Sequence, residues 1–127
     1  MDRLESQRRT GIIIAAAIQV HSTLGPGLLE SAYLTCLAYE IRRRGLEVRT
    51  QVSLPIMYGE LVLDQAYRID LVVANEIFVE VKAVQAIVPV HHSQLLTYLR
   101  LGGKHVGLLI NFHEARLRDG IKRIVNN

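Results

Sequence analysis

The sequence predicts an α/β fold, a mixed β-sheet flanked by helices, and three observations lead to it. Apolar residues recur at helical spacing through the N-terminal third and again after Pro89. Between these stretches, from Gly45 to about Val84, the period shifts towards two, as in strands. Glycine, proline and asparagine punctuate the changes of period. With 127 residues, 50% hydrophobic and 21% charged, and a net charge of +3, a single domain over residues 1–127 with a substantial core is expected. The same balance excludes an intrinsically disordered chain.

Taking the elements in order, Leu4, Ile12, Ile13, Ala16 and Val20 predict a first helix from Arg3 to Val20. Gly25-Pro26-Gly27 breaks it. Leu28, Leu29, Ala32, Leu37 and Ile41 predict a second helix, closed by Arg42, Arg43 and Arg44 and capped by Gly45, a residue suited to the left-handed cap conformation. Strands are predicted at Val48–Met57, Leu61–Val73 and Ile77–Val84, joined by the hairpin loops Tyr58-Gly59-Glu60 and Ala74-Asn75-Glu76. Pro89 precedes a third helix, Val90 to Leu101, stopped by Gly102-Gly103, and a strand follows at His105–Ile110. Residues Ile121–Val125 fit either a short edge strand or a last helical turn. The order is α-α-β-β-β-α-β.

Several function classes drop out. The longest apolar stretch, Gly11 to Ile18, is far below the roughly 20 residues needed to cross a bilayer. Asp2, Arg3, Glu5, Arg8 and Arg9 mix both signs and no small-residue cleavage site follows, so no secretory signal is expected and the location is expected to be cytoplasmic. Cys36, the only cysteine, permits neither an internal disulfide nor a zinc or redox pair, and reads as a buried small residue. The pI of 9.3 invites an anionic partner, although a charge of +3 is ordinary for solubility.

The chemistry concentrates in one hairpin. With a three-residue loop at Ala74-Asn75-Glu76, opposed residues have numbers summing to 150, so Asp70 faces Glu80, Val72 faces Phe78 and Arg68 faces Lys82, all on one side of the sheet. An even loop length would separate Asp70 from Glu80. Two carboxylates at ~5 Å with an effective dielectric of about 20 repel by roughly 3 kcal/mol. Set among Ile69, Leu71, Val79 and Val81, such a pair needs compensation. A divalent hard cation, Mg²⁺ or Mn²⁺, supplies it economically, since both prefer carboxylate oxygen and water. The alternative is a salt-bridged lattice in which Lys82 and Arg68 neutralise the acids.

The spacing Asp70, nine residues, then Glu80-Val81-Lys82 resembles the core of the PD-(D/E)XK nucleases, with Ile69 in place of the proline. More narrowly, Gly27-Leu28-Leu29-Glu30-Ser31-Ala32-Tyr33 resembles the motif of the bacterial GxxExxY proteins, a branch of that superfamily. The string around His91, Gln94, Leu95, Tyr98 and Leu99 is similar to the helix after the catalytic strand in exonucleases of the RecB type. The resemblance covers about His21 to Val125. It implies a restriction-endonuclease-like fold and metal-dependent hydrolysis of DNA phosphodiester bonds, with RNA as the alternative substrate. Asp70, Glu80 and the Val81 carbonyl would hold the metal, Lys82 would orient the attacking water or stabilise developing charge, and Glu30 would add a ligand or water anchor. Gln94 and Tyr98 would line the cleft. Taken alone, Glu30 is an acid at a helix N-terminus, worth ~0.3 to 1 kcal/mol. Composition alone makes Tyr98 a core residue and Gln94 a solvated one.

Other candidates carry less. His91 and His92 diverge by about 100° on a helix and make a poor metal pair, and His21, His105 and His113 have no ligand spacing. Gly25-Pro26-Gly27 lacks the Lys-Ser/Thr of a phosphate loop. Arg42 to Arg44 could touch a phosphate backbone, but a charge run closing a helix is usually solvated. The small size of the domain gives the expectation of a homodimer. The rivals to a nuclease are a non-catalytic nucleic-acid-binding module and a structural or regulatory protein of the same fold.

Overall fold

The computed structural model describes residues 3–127, apart from the side chains of Gln65 and Ala66. The N-terminal charge at Asp2 lies outside the described residues. Helix α1 (Arg3–Leu24) runs a turn beyond its predicted end, and its buried stripe is Ser6, Thr10, Ile13, Ala16, Ala17 and Val20. Leu4 is not part of it and is 74% exposed. Helix α2 (Glu30–Arg43) starts later than predicted: Leu28 and Leu29 precede it and are exposed, while Tyr33, Leu37, Ala38 and Ile41 form its buried face. Gly45, at φ 90°, ends it in the left-handed conformation expected.

Strands β1 (Val48–Tyr58), β2 (Leu61–Val73), β3 (Ile77–Lys82), β4 (Val106–Asn111) and β5 (Ile121–Val125) form one sheet in the order β1-β2-β3-β4-β5. Only the β3–β4 pair is parallel, and α3 (Pro89–Gly102) makes the crossover between them. The C-terminal segment resolves as an edge strand, antiparallel to β4. The first hairpin turns more tightly than predicted, with Tyr58 paired to Leu61 across Gly59-Glu60. Its register shifts between Leu54 and Ile56, at Pro55, which has no N–H to give the ladder. The second hairpin has the three-residue loop: Val73 pairs with Ile77, Val72 with Phe78 and Leu71 with Val79.

The sheet separates two cores. On one side α1 and α2 pack Ile13, Tyr33, Leu37 and Ile41 against Val79, Val81, Leu108 and Ile110. On the other, Leu95 and Leu99 of α3 meet Leu54, Ile69, Val72, Phe78 and Leu109. The C-terminal end of α3 lies so close to the sheet that a Cβ at Gly102 would come within 2.7 Å of the Phe78 ring. This packing sets Glu80, which alternates with Val79 and Val81, on the α3 side of the sheet.

Candidate active site

Asp70 sits where the sheet comes apart locally. Its pairing with β3 stops one residue short, at Leu71 and Val79, and on the other flank Gln51, in a left-handed conformation at φ 52°, leaves a gap in the β1 pairing without shifting its register. The side chains take over the missing ladder. The Asp70 N–H donates to Glu80 Oε1 at 3.1 Å, and the Val81 N–H donates to Asp70 Oδ2 at 2.8 Å. The acids are thereby brought together, as the loop length implied.

The interruption also changes the phase of β2. Ile69 and Val72 both belong to the α3-side core, which strict alternation forbids. Arg68 alternates with Ile69 and therefore lies across the sheet from Val72, and its backbone pairs with Ser53 of β1. The expected Arg68–Lys82 pair does not form, because the register that would make it ends before Asp70. Among the described residues no ion pair joins either acid to Lys82 or Arg68.

Burial then sets the electrostatics. Glu80 is 6% exposed, and its carboxyl is pushed up to about 8, first by desolvation and second by the Asp70 charge. The Asp70 carboxyl is also raised, mainly by burial and against the Val81 N–H and the Lys82 charge. The half-buried Lys82 is thus felt by both acids while its ammonium remains outside ion-pair distance. Without a cation the pair holds a proton into the neutral range.

Glu30 arrives from the opposite side. At the first position of α2 its Oε2 accepts the Ala83 N–H at 3.1 Å, one residue past Lys82. Tyr33, one helical turn on, is fully buried and stacks on Phe112 with ring centroids 4.6 Å apart. Its hydroxyl donates to the Gly25 carbonyl at 2.6 Å and accepts the Leu28 N–H at 3.0 Å, so it clamps the loop that delivers Glu30. Gly27 is at φ 105°, a conformation that favours glycine. Gly27, Glu30 and Tyr33 therefore act as one local device: turn, acid and clamp.

On the α3 side, Tyr98 is 7% exposed and packs with Ile69, the residue before Asp70; its hydroxyl is raised by burial and then by the Glu80 charge. It packs in the core, as its residue type leads one to expect. Gln94 is exposed on the same helix face and lines a groove with Tyr98. His91 accepts the Val88 N–H on its Nδ1 at 3.1 Å and so caps α3.

Sequence reasoning passed over two residues. Asn111 is fully buried, accepts the Val84 N–H at 3.1 Å and donates to the Val84 carbonyl at 2.9 Å, tying down the segment after Lys82. Its signal was a polar residue ending an apolar strand. Tyr67 sets its ring 6.0 Å from that of Tyr98 and carries no sequence signal beyond its type. The other basic candidates are engaged locally: Arg42 bonds the Val48 carbonyl, and Arg43 and Arg44 pair with Glu40.

The donor set fits a hard divalent ion. Two adjacent carboxylates and a backbone carbonyl are oxygen ligands, and Mg²⁺ commonly binds through one or two carboxylates with water completing its shell. Glu30 stands further off, and among the described residues no three His, Cys, Asp or Glu side chains converge on one point. Among the described residues, no helix is long and apolar enough to cross a membrane. No curated protein and no solved structure matches the chain. The model of the PD-(D/E)XK nuclease superfamily matches residues 7–124, which run from within α1 to within β5 and include the acid pair. The chain belongs to the PD-(D/E)XK nuclease superfamily.

Proposed function

We propose that the chain is a metal-dependent deoxyribonuclease of the GxxExxY branch, a single domain that hydrolyses DNA phosphodiester bonds. The observation that carries this reading is the pair of the buried Glu80 and the half-buried Asp70, held together with no cationic partner at ion-pair distance among the described residues. Asp70, Glu80 and the Val81 carbonyl would hold Mg²⁺ or Mn²⁺. When bound, such an ion polarises the phosphate and lowers the pKa of a coordinated water. Lys82 holds the attacking water or balances charge developing on the phosphate oxygens. Glu30, with one oxygen on the Ala83 N–H, offers the other to water at the site's edge. Tyr98 and Gln94 border the nucleotide from α3.

The test is cleavage of a panel of DNA and RNA structures with Mg²⁺ or Mn²⁺. Cleavage of DNA is expected to require the metal and to vanish in Asp70→Ala, Glu80→Ala and Lys82→Ala, each checked for folding by circular dichroism. Activity surviving in Glu80→Ala would remove the proposed site.

A cytoplasmic location goes with this reading, in keeping with the lone Cys36. So does a homodimer, because one small domain offers limited surface for gripping a duplex. Light scattering is expected to give twice the chain mass at roughly micromolar concentration, and a monomer at tens of micromolar counts against it.

A further inference from the structure

A groove on the α3 side of the sheet encloses about 250 Å³, and its lining includes Ile56, Tyr67, Val90, Gln94, Tyr98 and Leu101, with Ser93 and Thr97 between them on α3. Its two aromatic rings differ in exposure. Tyr98 is 7% exposed and packs into the core, whereas Tyr67 is 42% exposed, tilted 57° to Tyr98, and offers ring surface to the groove. Val90 and Leu101 are also exposed, so the wall is apolar and open. Among the described residues, neither the Gln94 amide nor the Tyr67 hydroxyl has a hydrogen-bond partner. Apolar groups exposed together in this way mark a binding surface.

A flat ligand with apolar faces and a polar edge suits an aromatic ring and an aliphatic wall beside a free amide. A nucleobase is such a ligand. Tyr67 lies three residues before Asp70 on β2 and Tyr98 packs with Ile69, the residue before Asp70, so the groove neighbours the strand that carries the acid, and a base close to a phosphate held there can reach it. In an intact duplex the base faces are covered by their neighbours and cannot stack on a side chain.

We propose that this groove binds an unstacked nucleobase, stacked on Tyr67 and hydrogen-bonded by Gln94, so that the substrate is single-stranded or frayed DNA rather than intact duplex. The inference rests on the nuclease reading above. Stacking of this kind tolerates any base, so the site selects strand state and not sequence. The net charge of +3 suits the modest electrostatic grip that such binding requires.

The experiment is fluorescence anisotropy of the metal-free protein, in which no cleavage occurs, with three probes: a short labelled single strand of mixed sequence, its duplex, and the same strand with abasic residues. The single strand is expected to bind more tightly than either of the others. Tyr67→Ala should weaken single-strand binding at least about fivefold, Tyr67→Phe should retain it, and neither should alter the abasic strand. Equal binding of the single and abasic strands by the wild-type protein overturns the proposal without any variant. So does a Tyr67→Ala loss shared by all three probes, or a Tyr67→Ala protein that falls from dimer to monomer, which would make the groove an interface between copies. Because the readout is binding, base-indifferent binding by an active nuclease sinks this inference alone, whereas base-selective binding without cleavage by any metal sinks the nuclease reading alone.

Discussion

Glu80→Gln is expected to stabilise the metal-free protein, by an amount that grows with pH. In the folded chain the Glu80 carboxyl is raised to about 8 against an ordinary 4.5, so between these values the native state binds a proton that the unfolded state has released. Stability therefore falls as pH rises through that window, and above it the full penalty is present, on the order of a few kcal/mol. Asp70 shifts in the same direction and adds to the effect. Glutamine keeps the shape, and its amide oxygen can still accept the Asp70 N–H now bonded to Glu80 Oε1. It removes the charge that burial and Asp70 oppose. Thermal melts at pH 5 and pH 9 check this, with wild type and variant converging at the acid end and the variant melting higher at the alkaline end. Mn²⁺ narrows the gap. An ion that binds only the native wild type stabilises it by roughly 2.7 kcal/mol at a hundredfold excess over Kd, or on the order of 10 °C for a domain of this size. That gain should be largest at high pH, where no proton competes, and should be blunted in Glu80→Gln. A variant less stable than wild type at pH 9, in a protein indifferent to Mn²⁺, would mean that the acids stabilise the fold by themselves.

That prediction depends on a juxtaposition legible in the sequence for a simple reason. Side chains in a strand alternate with a period of two, so a loop of odd length after Val73 places Asp70 beside Glu80 whatever the rest of the sheet does. The loop residues favour this outcome, since Ala74 and Asn75 both adopt positive φ and asparagine does so readily. Alternation fails where the backbone departs from ideal pairing. The phase change at Asp70 follows from Gln51 entering the left-handed region on the neighbouring strand, a residue type with no special bias for it. Arg68 consequently lies on the opposite face from the one that strict alternation predicts. The groove at Tyr67 was hidden for a different reason. It is assembled by β1, β2 and α3, elements far apart in the chain, and only their packing brings the residues together.

The helix-opening motif was visible as a string, but its mechanics were not. Glu30 by itself is indistinguishable from any acid at the start of a helix, where a favourable interaction with the macrodipole accounts for it. What separates the two cases is the partner: Glu30 bonds the Ala83 N–H on the far side of Lys82, more than fifty residues away in sequence. That bond couples α2 to the segment that leaves the acid pair. Asn111 couples the same segment to β4 through Val84. The chain after Lys82 is thus pinned from both flanks, which restrains the lysine relative to Asp70 and Glu80.

Tyr33 should show the largest loss of stability, and its two substitutions should separate packing from positioning. Tyr33→Ala removes a fully buried ring stacked on Phe112 and leaves a cavity between α2 and the sheet, a change that typically costs about 3 to 5 kcal/mol. A fall in melting temperature of more than ~10 °C follows for a domain of this size. Tyr33→Phe retains the ring and its stacking. It removes the hydroxyl that donates to the Gly25 carbonyl and accepts the Leu28 N–H, groups in a half-exposed loop where water can partly replace it, so a loss of about 1 to 2 kcal/mol is expected. The loop should nevertheless loosen. Hydrogen exchange at the Leu28 amide is expected to accelerate in Tyr33→Phe far more than exchange at Leu37 or Ile41 on the same helix, because only the clamp has been released. Since Glu30 follows Leu28 by two residues, any cleavage activity should fall in Tyr33→Phe while the core remains intact. If Leu28 exchanges at the wild-type rate in Tyr33→Phe, the hydroxyl does not hold the loop and Tyr33 is a packing residue only.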